Sequence, residues 1–424
     1  MKTHWLGAAA VAALLAAGSA AAQTPNAQIG AAKATAGSAA APDLSKAPRM
    51  GTWGFDLAGR DSTVTPGQDF FNYANGAYLK TLEIPADRSR FGAFDNLNEL
   101  SQSRMHAVLD AAAADKAATG ERAQVGTLYR SFMDEAKVEA LGAKPMARDL
   151  AAIKAAKTRS DIARLMGQSQ KTFGGAFFSA GVSEDAKDPE HYTVYLGQAG
   201  LGLPDRDYYL QTSFAPQKAK YELYVAKMLT LAGWPQPAAN AKAIVALETE
   251  IAKASWTRAD RRDDEKMYNA YETAKLGQLA PQFDWAAFMA GAGLTKADHV
   301  VVQEKTAFPQ IAAIFAKTPV ETLKAWQAFN LVDQAAPYLP KAFDQAHYDF
   351  RNKTLSGQQA QQPRWKRGVT LVDGQVGEAL GKLYVDAYFP AESKAKMLSL
   401  VGDIRTAMQG RIANLDWMSP ATKA

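Results

Sequence analysis

Residues 391–415 read AESKAKMLSLVGDIRTAMQGRIANL, and their spacing decides the fold class. Met397, Leu400, Val401, Ile404, Met408, Ile412 and Leu415 recur at the period of one helix face. The pattern predicts an amphipathic helix over about 391–415 whose stripe faces a core. Just upstream, Val376, Leu380, Leu383, Tyr384 and Tyr388 mark the helix before it. Similar stripes run through residues 97–113, 125–141, 238–254 and 320–335, each predicted to be core-facing. The expected fold class is therefore mainly α and multi-helical. No internal repeat is visible.

One region departs from the helical period. Residues 172–182 and 192–198 alternate and carry Phe, Tyr, Val and Thr, with Tyr192, Val194 and Leu196 on one face. A small β-hairpin or pair of short strands is expected at about 172–198. At the other end, Ser419-Pro420 announces a helix, with Ser at the cap and Pro at the first helical position. Few residues follow, so this helix is expected to continue into a larger architecture.

The 424 residues are 47% hydrophobic and 21% charged, a balance that supports a sizeable core. Net charge is +5, but basic and acidic residues interleave, as in 258–266, without forming a stripe. A nucleic-acid partner is not expected, because such binders cluster their charge. Cysteine is absent, which excludes disulfides, thiolate nucleophiles and Cys-ligated metals.

Lys2, the apolar run 6–18 and the sequence Ser19-Ala20-Ala21-Ala22 have the form of a signal peptide, with cleavage expected after Ala22. A periplasmic or extracellular location is expected, with no membrane span after cleavage. Residues 23–48 are rich in Ala, Pro and Ser and are expected to be a disordered linker.

A helical zinc peptidase motif needs two His one turn apart and a Glu beside the first, so that both imidazoles share a helix face. The five histidines, His4, His106, His191, His299 and His347, are too dispersed for H-E-x-x-H or its inverse. They are expected to be surface or structurally satisfied residues. Phe177-Phe178-Ser179-Ala180-Gly181 lacks the leading glycine of a nucleophile elbow. Gly200-Leu201-Gly202-Leu203-Pro204-Asp205 fails a dinucleotide fingerprint. Gly291–Lys296 is too short for a phosphate loop. No catalytic residue and no metal ligand is assigned, and no cofactor is expected in this chain.

Several blocks carry a resemblance. They are Asp69-Phe70-Phe71-Asn72-Tyr73-Ala74-Asn75-Gly76, Ile84-Pro85, and Ser89-Arg90-Phe91-Gly92-Ala93-Phe94-Asp95. Leu128-Tyr129-Arg130-Ser131-Phe132-Met133-Asp134 follows, then residues 200–209 (GLGLPDRDYY), then Arg261-Arg262-Asp263 with Tyr268-Asn269. The last are Pro363-Arg364-Trp365-Lys366-Arg367, residues 377–385 (GEALGKLYV), Tyr388-Phe389-Pro390, and Leu415-Asp416-Trp417-Met418-Ser419 with Thr422-Lys423. In this order, over about 51–423, the chain resembles the neprilysin and endothelin-converting-enzyme family of zinc metallopeptidases, including its bacterial oligopeptidases.

The resemblance implies two helical lobes around a closed cavity, with this chain forming largely the cap lobe over 96–424. Residues 49–95 would pack on the catalytic lobe. The family's zinc motifs lie beyond the segment matched here, so the zinc domain is expected to be missing and the chain inactive alone, although zinc is expected for the full-length enzyme. Peptide substrates would be met through that missing lobe. Arg90 matches a family arginine that engages substrate beyond the scissile bond; a second family arginine, eight residues on, is Asn98 here. Phe132 and Gly368 stand where extracellular animal members place disulfide cysteines. Gly76, Gly202 and Gly381 are expected at turns or close approaches, and Trp365 and Trp417 in the core. A stand-alone peptide- or partner-binding protein is the alternative reading.

Overall fold

The computed structural model describes residues 56–424, so the expected signal peptide at 1–22 and linker at 23–48 lie outside the described residues. Helices dominate, and many begin at a side chain that caps free backbone N–H groups. Asp69 accepts from the Asn72 amide at 2.9 Å and opens the helix Phe70–Thr81. Thr158 and Asp161 form a reciprocal capping box ahead of Arg159–Gln168. Ser419 caps Pro420–Lys423, accepting from Thr422 N at 3.2 Å, as its sequence announces.

The helical stripe at 125–141 is broken in the structure. Asp134 caps a new helix, so the segment divides into Gly120–Met133 and Glu135–Leu141, and Leu141 is exposed. A side chain that satisfies the next helix's amides ends one periodic run and starts another.

The expected hairpin is present as β1 (Phe178–Asp185) and β2 (Asp188–Gln198), antiparallel from Phe178↔Gln198 to Glu184↔Tyr192. Val194 and Leu196 are buried, whereas Tyr192, on the same face, stands exposed toward the hairpin tip. Two further strands complete a sheet that sequence reading did not foresee: β3 (Asn269–Glu272) and β4 (His299–Val302), in the order β1-β2-β4-β3. β4 runs parallel to β2, Val194↔Val300 to Leu196↔Val302, and antiparallel to β3. Each of these strands has four residues, too short to show alternation, and Val300–Val302 is buried throughout.

The main core gathers the sheet and the helices between 147 and 350 around Phe177, Tyr221, Phe288, Trp326 and Phe329. A second, smaller core joins the helices Ala93–Ala114, Gly120–Met133 and Arg364–Tyr388 through Leu109, Val125, Tyr129, Val372 and Leu380. Phe132 and Gly368 face one another there: a Cβ on Gly368 would lie 3.2 Å from the Phe132 ring and 2.7 Å from that of Tyr129. Ring packing thus fills the places where the family resemblance puts cysteines. The helix Arg364–Tyr388 bends at Val376 (φ −138°, ψ 40°), flanked by Gly374 and Gly377.

Several expectations need correction. The helix Ala391–Ala413 forms as its period predicts, yet none of its residues is buried; Leu398 is 63% exposed and Ile404 59%. Its stripe is therefore not core-facing among the described residues. Periodicity reports which residues share a face and says nothing about what covers that face. Trp417 is likewise exposed. Trp365, by contrast, packs half-buried against the second core, stacked on His106 with centroids 4.3 Å apart. Gly381 has open space around it, unlike Gly76 and Gly202. The first turns of Ala93–Ala114 also leave the core, with burial confined to Gln102, Val108, Leu109 and Ala112.

Candidate functional site

The segment carrying Arg90 is anchored by charge. Lys366, almost fully buried, reaches Asp87 at 3.3 Å and Glu99 at 2.9 Å. Arg88 donates through Nη2 to the same Glu99 and lies 3.8 Å from Asp95. Burial opposes the charge on Glu99, but hydrogen bonds from Lys366 and Arg88 prevail, and its carboxyl titrates below the ordinary range. The Gln359 and Ala360 amides both donate to Ala86 O, at 3.0 and 2.8 Å. Residues 86–99 are thus held against the start of the Arg364–Tyr388 helix.

Arg90 is outside this network. It is exposed and makes no ion pair or hydrogen bond with another described residue, whereas Arg88, two positions earlier, takes the salt bridge. An unengaged guanidinium presents planar donors that suit a carboxylate or carbonyl. Asn98, on the second turn of Ala93–Ala114, is exposed and supplies no charge. Apolar side chains surround this stretch in sequence: Phe70, Phe71, Ile84 and Phe94 are all exposed, Phe94 to 88%.

The 200–209 block has a different role. Tyr209 Oη accepts the Gly202 and Leu203 amides at 3.0 and 2.8 Å and donates to Glu248 Oε2 at 2.7 Å. Glu248 Oε1 accepts from Trp326 Nε1 at 2.9 Å and from Tyr221 Oη at 3.2 Å. The carboxyl is fully buried, and burial pushes it up to about 7 despite three donors. Arg351 donates to Gly202 O and pairs with Asp333 at 2.6 Å, tying the same loop to the segment Tyr348–Thr354. A Cβ on Gly202 would overlap the Tyr221 hydroxyl, so only glycine lets the loop approach. Sequence reasoning missed Glu248. Its signal was there: it sits between Ile244 and Ile251 on the apolar stripe of Pro237–Ala254.

Among the described residues no three His, Asp or Glu side chains converge as metal ligands. His106 stacks on Trp365 and lies 3.3 Å from Asp110; His191 lies 2.9 Å from Asp188 at the surface. These residues do not fit a zinc site, and no catalytic step is assigned to them.

The sequence profile of peptidase family M13 matches residues 66–424. The chain belongs to that family. Mouse endothelin-converting enzyme 1 is 30% identical over 383 residues, covering 87% of this chain and 49% of the relative. The human enzyme of that name is 29% identical over the same length. Among solved structures, the Mycobacterium tuberculosis zinc metalloprotease ZMP1 in complex with inhibitor aligns with a TM-score of 0.79 at 34% identity, covering 87% of this chain and 56% of that one. PepO from Lactobacillus rhamnosis shares the fold, with a TM-score of 0.71 at 21% identity. The chain spans about half the length of the curated relatives it matches. Within the M13 match lie both the Arg90 segment and the Glu248 knot.

Proposed function

We propose that this chain is the cap lobe of an exported neprilysin-like zinc metalloendopeptidase, forming the wall of a cavity for peptides and small polypeptides. The observation that carries this reading is the unpartnered apolar surface of an otherwise well-packed M13 chain. The helix Ala391–Ala413 buries nothing, and Phe70, Phe71, Phe94 and Trp417 stand in solvent. Apolar exposure on this scale marks an interaction surface. A zinc-bearing catalytic lobe is the partner it fits, with residues 56–95 and 391–413 as the docking elements. Arg90 stays free to engage substrate beyond the scissile bond. Asn98 cannot supply a second guanidinium, so Arg90 would act alone. The signal-peptide pattern at 1–22 supports export to the periplasm or outside the cell, and among the described residues no helix is long and apolar enough to cross a membrane.

In this reading the chain alone neither binds stoichiometric zinc nor hydrolyses peptides. The test is zinc content and chelator-sensitive peptidase activity of the purified 424-residue protein. The expected result is neither; one zinc per chain with chelator-sensitive cleavage overturns the assignment. A stand-alone peptide trap is the outcome if the purified chain binds peptide tightly and gains nothing from a catalytic half.

A further inference from the structure

We infer that the cleft between His347 and the start of the Arg364–Tyr388 helix is a second peptide-binding site, one that takes an uncharged, extended stretch of substrate. The cleft holds about 400 Å³, within the range of built ligand pockets. Its formal charges cancel locally. Arg367 Nη1 lies 2.8 Å from Asp344 Oδ2, and Gln361 Nε2 donates to Asp344 Oδ1 at 2.9 Å, so both carboxylate oxygens are engaged. What remains open is neutral. Gln362 and Gln375 line the cleft and make no side-chain hydrogen bond with another described residue. His347 also lines it with no side-chain hydrogen bond to another described residue, and burial lowers its pKa; the neutral ring offers one donor and one acceptor. Phe132 adds an apolar wall.

Free amides beside an apolar wall match the peptide group, which also carries one donor and one acceptor per residue. An oligosaccharide fits less well. The one carboxylate is already committed, and Tyr338 already stacks on Phe173 with centroids 5.7 Å apart. The site rests on the reading of this chain as a peptide-facing lobe.

The experiment uses the purified chain and a capped, uncharged tetrapeptide, acetyl-Ala-Phe-Gln-Ala-amide, titrated by saturation-transfer NMR. Gly374 lines the cleft and has nothing within 4 Å of its would-be Cβ, so Gly374→Trp is chosen to fill the cleft with an indole. Gly381, on the same helix and equally open, serves as the control Gly381→Trp. The expected result is binding to the wild type, weakened about tenfold or more by Gly374→Trp and unchanged by Gly381→Trp, with all three proteins melting alike. No binding to the wild type, equal effects of the two substitutions, or displacement of the peptide by maltotetraose overturns the assignment. Failure of the cap-lobe reading registers separately, as no association with a catalytic half while peptide binding at the cleft persists.

Discussion

Glu248 accepts from Tyr209, Tyr221 and Trp326 at once, and its loss strands all three donors in the core. Each stranded group costs about 1–3 kcal/mol, so Glu248→Ala is expected to lower stability by about 3 kcal/mol or more, read as a shift in the urea midpoint. The same carboxyl sets a pH dependence. Its folded pKa is raised from 4.5 to about 7, so between these values the folded state holds a proton that the unfolded state has released. Its contribution to stability is therefore full below 4.5 and is lost as pH rises through about 7. Wild type should lose stability relative to Glu248→Gln between pH 5 and pH 8, measured by parallel urea titrations; a constant difference would contradict the assignment. Arg88 and Arg90 separate in the same kind of experiment. Arg90→Ala should change stability by less than about 0.5 kcal/mol, having no partner to lose among the described residues. Arg88→Ala should cost about 1–3 kcal/mol, because Glu99 keeps only Lys366. Composition and spacing alone do not distinguish these two arginines; the register of residues 85–95 against Lys366 shows which one is paired.

At the scale of elements, the helix Ala391–Ala413 is held by its own backbone bonds and by no buried side chain. Ile404→Asp should therefore leave the melting temperature of the isolated chain unchanged, while the matching substitution in the buried stripe of Val320–Ala335, Val332→Asp, should unfold it. Helix positions were legible because the apolar period is local: 391–415, 238–254 and 320–335 all form close to where their stripes put them. The hairpin was legible for the same reason. β3 and β4 were not, because a parallel pairing across about a hundred residues of chain leaves no mark in either four-residue segment. Coverage of a face was equally hidden, since it depends on what lies opposite. The candidate site divides the same way. Arg90 was reached only through the family blocks, whereas Glu248 announced itself as a charge on an apolar stripe and went unread.

For the whole molecule, the distribution of apolar exposure is uneven. The main core between 147 and 350 is closely packed, while exposed Phe, Ile, Leu, Met and Trp gather in 57–97 and 397–417. On the proposed reading of this chain as a cap lobe, that surface is where a catalytic lobe docks. The direct measurement is hydrogen–deuterium exchange of this chain, with and without a separately produced catalytic half of an M13 relative. The account predicts rapid exchange in 391–413 alone, and protection there and in Phe70–Thr81 once the second half is added, with the Val320–Ala335 helix unchanged. Exchange in 391–413 that is already as slow as in the core, or that stays fast with the catalytic half bound, would contradict it.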